Sequence, residues 1–393
     1  MGCYNFDALT ERRNTNCIKF DLAAQRGLPE GVLSYWVADM DFETVPEIGE
    51  AIRNRTRHNI YGYSMTGDGY YDAVIEWMKK RHGWETKKEW YFYTPGVVFA
   101  LGMIIRALTE EGGAVMIQRP VYYPFGLMIE KNGRRIVNSP LYQDSDGRYR
   151  IDFEDFERKI VSEQVKLFIL CNPHNPVGRV WTKEELLRIG DICVRHGVRV
   201  ASDEIHADFV WSGHHHEVFA ALKPEFADIT VTCTAPSKTF NLAGLQLSNI
   251  IASNQELRDK VKQEIDKTGY DEPNVFGSIA CEAAYRYGEK WLEELSDYLE
   301  GSIAWLEDYL KEKLPLIRYR RPEGTYLAWL DFRAFGLSGE ELDKKIVNEA
   351  GLWLDGGGMF GGEGEGFQRL NLATSRAYLE KGLEQLRRVF GRG

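Results

Sequence analysis

No stretch of eighteen consecutive apolar residues occurs in this 393-residue sequence, so no membrane-spanning helix is expected. An excess of basic charge is also lacking. The 49 Lys and Arg residues face 59 Asp and Glu, a formal net charge of -10, which argues against a nucleic-acid-binding surface. Cysteine is scarce. Cys3, Cys17, Cys171, Cys193, Cys233 and Cys281 form no C-x-x-C pair, a scatter that suits a reduced, cytoplasmic protein better than a disulfide framework. Cys171, Cys193 and Cys233 lie in apolar runs and read as core residues. Met1 to Asp21 is polar and has no apolar signal region, so export is not expected. There is no internal repeat, and no low-complexity stretch beyond the glycines of 356–366.

Apolar residues make up 44% of the chain, enough for a large core, and the length exceeds what one small core needs. The expected organisation is an N-terminal arm over 1–45, a large α/β domain over 46–285 and a smaller α+β domain over 286–393. Residues 1 to about 40 read as irregular, with a strand from Ser34 to Phe42 that breaks into a turn. Pro46 suits the first turn of a helix. Tyr70, Tyr71, Val74, Trp77 and Met78 have helical spacing. Strands are expected at Tyr91–Thr94, Ala114–Gln118, Val165–Cys171, Val198–Ser202 and Ile229–Cys233, with helices between them. Apart from Lys166, the Val165–Cys171 run is continuously apolar, as in a parallel sheet covered on both faces. Thr182-x-x-Glu185 is a capping box, and Glu184 and Glu185 read as a solvated first helical turn. The alternation implies a mostly parallel central sheet flanked by helices. Beyond residue 285, Trp291, Leu292, Leu295, Tyr298, Leu299, Ile303, Leu306 and Leu310 mark one face of a long helix, followed by short strands.

The chemistry centres on Thr234–Gln246, where Ser237 and Thr239 flank Lys238 just after an apolar strand. A lysine placed there is either an ordinary solvated loop residue or an amine set to form a Schiff base with an aldehyde cofactor. Ligands of open α/β sheets bind beyond the carboxyl ends of the strands, and other residues fall at such ends: Asn175, Asp203, and the helix start at Gly96, Val97 and Val98. Tyr122 could offer an aromatic face or simply pack. Asp203 could be a turn residue, and Arg369 a surface ion pair. Taken together they suit pyridoxal 5'-phosphate (PLP). That cofactor needs an amine for its aldehyde, a carboxylate for its ring nitrogen, donors to its phenolic oxygen, a stacking ring and an anion site. His214-His215-His216 invites a metal reading, but adjacent histidines converge poorly on one ion, and no metal is expected. The glycines of 356–366 carry Glu363 and Glu365 and have no following helix, so they read as a mobile loop near the site mouth rather than a dinucleotide cradle.

Asn-Pro-His-Asn-Pro-Val-Gly (172–178), Ser-Asp-Glu-Ile-His (202–206) and Ser-Lys-Thr-Phe-Asn-Leu-Ala-Gly (237–244) resemble the signature of fold-type I pyridoxal-phosphate enzymes of the class I/II aminotransferase type. Trp36–Phe42 and Gly244-Leu245-Gln246 resemble more narrowly the MalY/PatB-type carbon–sulfur β-lyases. The resemblance implies that Lys238 is the Schiff-base lysine and the base for the α-proton. It implies Asp203 on the pyridine nitrogen, Asn175 and His206 on the phenolic oxygen, Tyr122 stacked on the ring, and Ser237 with the Val97 and Val98 amides on the phosphate. Ala38 and Arg369 would bind the substrate, Arg369 through its α-carboxylate. Tyr61, with Tyr63 as a neighbouring candidate, would reach the phosphate of a second subunit in a homodimer. Two departures stand out. Gln246 occupies a position where many aminotransferases have a phosphate-binding arginine, and Ala235 one where many relatives have serine; Thr234, Tyr61 or other donors would compensate. The implied reaction is α,β-elimination on cystathionine, cystine or related cysteine S-conjugates. An aminotransferase is the alternative, and a cofactor-bound regulatory protein a more distant one.

Overall fold

The structure, a computed structural model, describes residues 3–391. Its centre is a seven-stranded sheet built from β1 (Tyr91–Thr94), β2 (Ala114–Ile117), β3 (Arg135–Asn138), β4 (Leu167–Cys171), β5 (Arg199–Asp203), β6 (Thr230–Thr234) and β7 (Ser248–Ile251). The spatial order is β1-β7-β6-β5-β4-β2-β3. Pairing is parallel from β6 through β3, while β7 runs antiparallel to both of its neighbours. β3 and β7 do not stand out in the sequence. β3 is a short strand at the sheet edge, and β7 begins with the polar pair Ser248-Asn249. Both of those side chains are nonetheless buried and satisfied, Ser248 by Thr94 (Oγ1···Oγ 2.7 Å) and Asn249 by the Tyr70 hydroxyl.

The continuous apolar run of β4 now has its physical reason. Leu167, Ile169 and Cys171 pack under the helices Val97–Leu108 and Gln255–Asp266. Phe168 and Leu170 pack on the opposite face under Phe153–Ser162 and Lys183–His196. The capping box at Thr182 is formed. Glu184 is exposed as expected, but Glu185 is not simply solvated. Its carboxylate accepts from Arg179 Nη2 at 2.7 Å, because Arg179 is buried and needs a counter-charge. Cys171, Cys193 and Cys233 are core residues, as is Cys281.

A second, four-stranded sheet comprises β8 (Arg318–Tyr319), β9 (Leu327–Asp331), β10 (Asp355–Gly356) and β11 (Phe367–Asn371), ordered β8-β9-β11-β10 and antiparallel throughout. The helix Glu289–Lys313 buries Trp291, Leu292, Leu295, Leu299, Ile303, Leu306 and Leu310 of the face its spacing marks, while Tyr298 stays half-buried because its hydroxyl reaches out to Asp7 Oδ1 at 2.7 Å. No helix among the described residues is long and apolar enough to cross a membrane.

The N-terminal segment departs from expectation. It contains a helix, Ile18–Gln25, which anchors Lys19 in the interior against Asp41 (2.9 Å). The expected strand over 34–42 is confined to Leu33–Ser34, paired with Leu352–Trp353. From Trp36 to Met40 the carbonyls instead accept side-chain donors. Asn371 Nδ2 reaches Val37 O and Asp39 O at 2.6 Å each, and Met40 O receives Arg12 Nη1 and Asn241 Nδ2 at 2.9 Å each. The 356–366 glycines also differ from a mobile loop. Gly357 and Gly364 touch so closely that a Cβ on either would overlap the other's carbonyl oxygen, and Phe360 O accepts from Val121 N at 3.1 Å.

Glu323 N and Gly324 N both donate to Gly178 O, at 2.7 and 3.1 Å, tying the 172–178 loop to the approach to β9. A Cβ at Gly324 would lie 2.7 Å from Val180 Cγ2 and 2.8 Å from Phe209 O. Gly324→Ala should therefore lower unfolding stability by about 1–3 kcal/mol in urea titrations, and an unchanged midpoint would show that the junction yields freely.

Candidate active site

The functional candidates of the central sheet follow the carboxyl ends of its parallel strands. Val97 and Val98 open the helix after β1, Tyr122 follows β2, Asn175 follows β4, Asp203 ends β5, and Lys238 sits on the short helix Pro236–Thr239 after β6. These residues line one cavity of about 190 Å³ together with Ala38, His206 and Ser237. A buried loop must satisfy its own polar groups, and here the chain does so locally. Tyr122 N donates to Asn175 O at 3.0 Å, and Ile205 N donates to Asp203 Oδ1 at 3.2 Å.

Lys238 Nζ donates to Ala38 O at 2.7 Å, and Tyr326 Oη donates to the same carbonyl at 3.0 Å. Lys238 keeps some exposure where it lines the cavity, but surrounding protein still strips water from the amine. That desolvation lowers its pKa to about 8, with Arg369 pushing the same way and Asp39 and Asp203 opposing. Asp203 is pushed up to about 7, mainly by burial, against the Ile205 N–H and the Lys238 charge. Burial holds His206 well below its usual value, helped by the Lys238 and Arg369 cations, so its ring is neutral.

Arg369, on β11 of the second sheet, does not line the cavity itself but bonds to Asn175, which does. It is buried, and its Nη1 donates to Asn175 Oδ1 at 2.9 Å. Tyr61 is not brought to the cavity of its own chain. It is 52% exposed on a loop with Ile60, Tyr63 and Met65. Gln246 and Thr234 are likewise absent from the cavity lining, whereas Ala235 is part of it. The histidine triplet separates. His216 turns inward, its Nε2 2.9 Å from Glu204 Oε2, while His214 and His215 stay at the surface. Among the described residues no group of three or more His, Cys, Asp or Glu is arranged to hold a metal ion.

Sequence reasoning missed Tyr326, Asn241 and Asp355. Asn241 lies three residues after Lys238 and binds Met40 through both its amide atoms, Oδ1 accepting from Met40 N at 2.9 Å. Asp355 pairs with Arg369 across neighbouring strands, a contact only the register reveals.

The residues present fit pyridoxal phosphate on observations of the chain itself. Asp203 is a buried carboxylate with no ion-pair partner among the described residues, and a proton-bearing ring nitrogen would complete it. His206 Nδ1 is buried with no hydrogen-bond partner among the described residues. The first turn of the helix Val97–Leu108 has no side-chain cap, so its N–H groups are open to an anion.

An open, mostly parallel α/β sheet with a lysine, a carboxylate and an anion cradle at its carboxyl ends defines a pyridoxal-phosphate enzyme of fold type I. The chain belongs to the aminotransferase class I and II family, whose sequence pattern matches residues 34–386. It is 46% identical to cystathionine beta-lyase PatB of Bacillus subtilis, over 98% of this chain and 99% of that protein. Cystalysin from Treponema denticola, whose crystal structure contains a pyridoxal 5'-phosphate cofactor, is 36% identical with a TM-score of 0.95, over 98% of both chains. The pyridoxal-phosphate-bound C–S lyase from Staphylococcus hominis is 36% identical with a TM-score of 0.92, again over 98% of both.

Only the neutral amine attacks an aldehyde, so apoprotein mixed with pyridoxal phosphate should bond it faster as pH rises through about 8. Stopped-flow absorbance would follow this, and a rate flat across that pH would mean the amine is not the group that titrates.

Proposed function

We infer that this chain is a pyridoxal-phosphate-dependent carbon–sulfur β-lyase. It converts a cysteine S-conjugate and water into a thiol, pyruvate and ammonium, with cystathionine and cystine as the leading substrates. The observation that carries this is the desolvated Lys238 amine on Ala38 O, in one cavity with Asp203, in a chain 46% identical to a cystathionine β-lyase along its whole length.

Bound pyridoxal phosphate supplies an aldehyde carbon for an amine and a protonated ring that takes up the electron pair released at the substrate α-carbon. The chain does the rest. Lys238 Nζ would hold the cofactor. With substrate bound, Lys238 would remove the α-proton and then hold a proton for the departing sulfur. A pKa of about 8 puts both protonation states within reach near neutral pH. Asp203 would keep the ring nitrogen protonated. Asn175 and neutral His206 would hold the phenolic oxygen, and Tyr122 would cover the ring. Ser237 and the Val97 and Val98 amides would cradle the phosphate. Arg369 clamps the α-carboxylate and thereby fixes the α-carbon near Nζ, with Ala38 as the facing wall. The division into a cofactor-binding domain over 46–285, and a smaller domain over 286–393 joined by the 1–45 arm, follows the same reading.

We extend this reading to a cytoplasmic homodimer. The exposed Ile60, Tyr61, Tyr63 and Met65 form an apolar loop that suits burial against a second copy, where Tyr61 would reach that copy's phosphate. The six cysteines, none paired in a disulfide, suit a reducing compartment.

Cofactor-loaded protein given L-cystathionine or L-cystine without any keto acid should release pyruvate in step with thiol or persulfide. No pyruvate, but amino-group exchange once a keto acid is added, would make it an aminotransferase. Lys238→Ala should still bind the cofactor noncovalently while losing at least about a hundredfold in turnover. Retention of most activity would mean that another group moves the proton.

A further inference from the structure

Arg369 is already in use before any substrate arrives. A guanidinium has five N–H donors, and each bidentate approach to it employs Nη2, end-on with Nη1 or side-on with Nε. Here Nη2 donates to Trp36 O at 2.8 Å and also to the Asp355 carboxylate. Nη1 donates to Asn175 Oδ1 at 2.9 Å. Nε is buried with no hydrogen-bond partner among the described residues. Both forks are thus blocked at the nitrogen they share, and a substrate α-carboxylate gains a bidentate grip only by displacing Trp36 O or Asp355.

Asp355 is placed for this by the fold. It is the cross-strand neighbour of Arg369 in the β10–β11 pair, and its side chain is only 5% exposed. Phe360 lies under the guanidinium, 5.0 Å from ring centroid to Cζ, and holds its plane. Burial pushes the Asp355 carboxyl up, and Arg369 is what opposes the shift. A second carboxylate entering this enclosure meets a like charge that the same cation already neutralises.

We propose that Asp355 is a positioning residue that occupies Arg369 in place of a substrate carboxylate and sets how tightly that carboxylate binds. This rests on the reading of Arg369 as the α-carboxylate clamp. Asp355 keeps Arg369 oriented while the site is empty and keeps adventitious carboxylates out. An amino-acid substrate overcomes it with the additional binding energy of its amine, which a simple carboxylic acid lacks.

The test uses holoenzyme and 3-(methylthio)propionate, a thioether carboxylate with no amine and hence no covalent step. Its binding is read by tryptophan fluorescence and as an inhibition constant against L-cystathionine. Asp355→Asn keeps a carbonyl oxygen for Nη2 and removes the charge, while Asp355→Ser removes the charge without an amide. Each should bind the probe about tenfold more tightly or better, a gain that structural damage would not produce. Arg369→Gln should abolish probe binding. Binding unchanged or weakened in both Asp355 variants, with binding lost in Arg369→Gln, would overturn the proposal and leave the clamp standing. Binding retained in Arg369→Gln would overturn the clamp itself. Loss of fold in both Asp355 variants, seen by circular dichroism, would also overturn it by making Asp355 a purely structural counter-ion.

Discussion

A primary amine enclosed by protein must either give up its proton or be met by acceptors, and Lys238 sits between these two outcomes. Its hydrogen bond to Ala38 O joins the ends of the central strands to a segment two hundred residues earlier in the chain. The rest of the site is arranged around that bond. Asp203 and Asp39 supply charge that keeps the amine from losing its proton altogether, while burial and Arg369 push the other way. Burial is the largest influence and brings the pKa down to about 8, with the two carboxylates opposing it. An amine so placed changes protonation state with little free energy on either side.

The second support is the irregular Trp36–Met40 stretch. It forms no ladder, yet its carbonyls are taken up by Arg369, Lys238, Tyr326, Asn371, Arg12 and Asn241. Arg12 and Lys19 also engage Asp41, so the N-terminal helix is bolted to the stretch by buried charge rather than by an apolar stripe. Two sheets and the N-terminal segment therefore meet at one set of main-chain acceptors. Geometry around Lys238 follows from three parts of the fold holding the same few atoms.

The central sheet and its polar strand ends were legible in the sequence, because β4 is an apolar run and β5 and β6 are strands of small and β-branched residues, and the three lead into Asn172, Asp203 and the lysine loop. Such runs need burial on both faces, and only the carboxyl ends of a parallel sheet leave room for chemistry. What stayed hidden was non-local. Ser248 and Asn249 look like a loop until Thr94 and Tyr70 satisfy them. Asp355 looks like a surface carboxylate until the β10–β11 register places it beside Arg369. The helix at Ile18–Gln25 lacks a clear apolar face, and its reason to fold is the Lys19–Asp41 pair. Glu185 was read as solvated because the buried Arg179 that claims it is visible only in three dimensions. The glycines of 356–366 suggested looseness, whereas the missing side chains let two backbone segments touch.

Because the Trp36–Met40 contacts are made by carbonyl oxygens, the segment specifies a length more strictly than a composition. The half-buried Val37 side chain could drift over evolutionary time while every acceptor stayed in place, whereas Met40 is also held by the core. Insertion or deletion of a single residue would instead move each carbonyl off its donor at once. Comparison across divergent sequences should accordingly find position 37 variable in residue type and the segment fixed in spacing, and library design should leave its residue count alone.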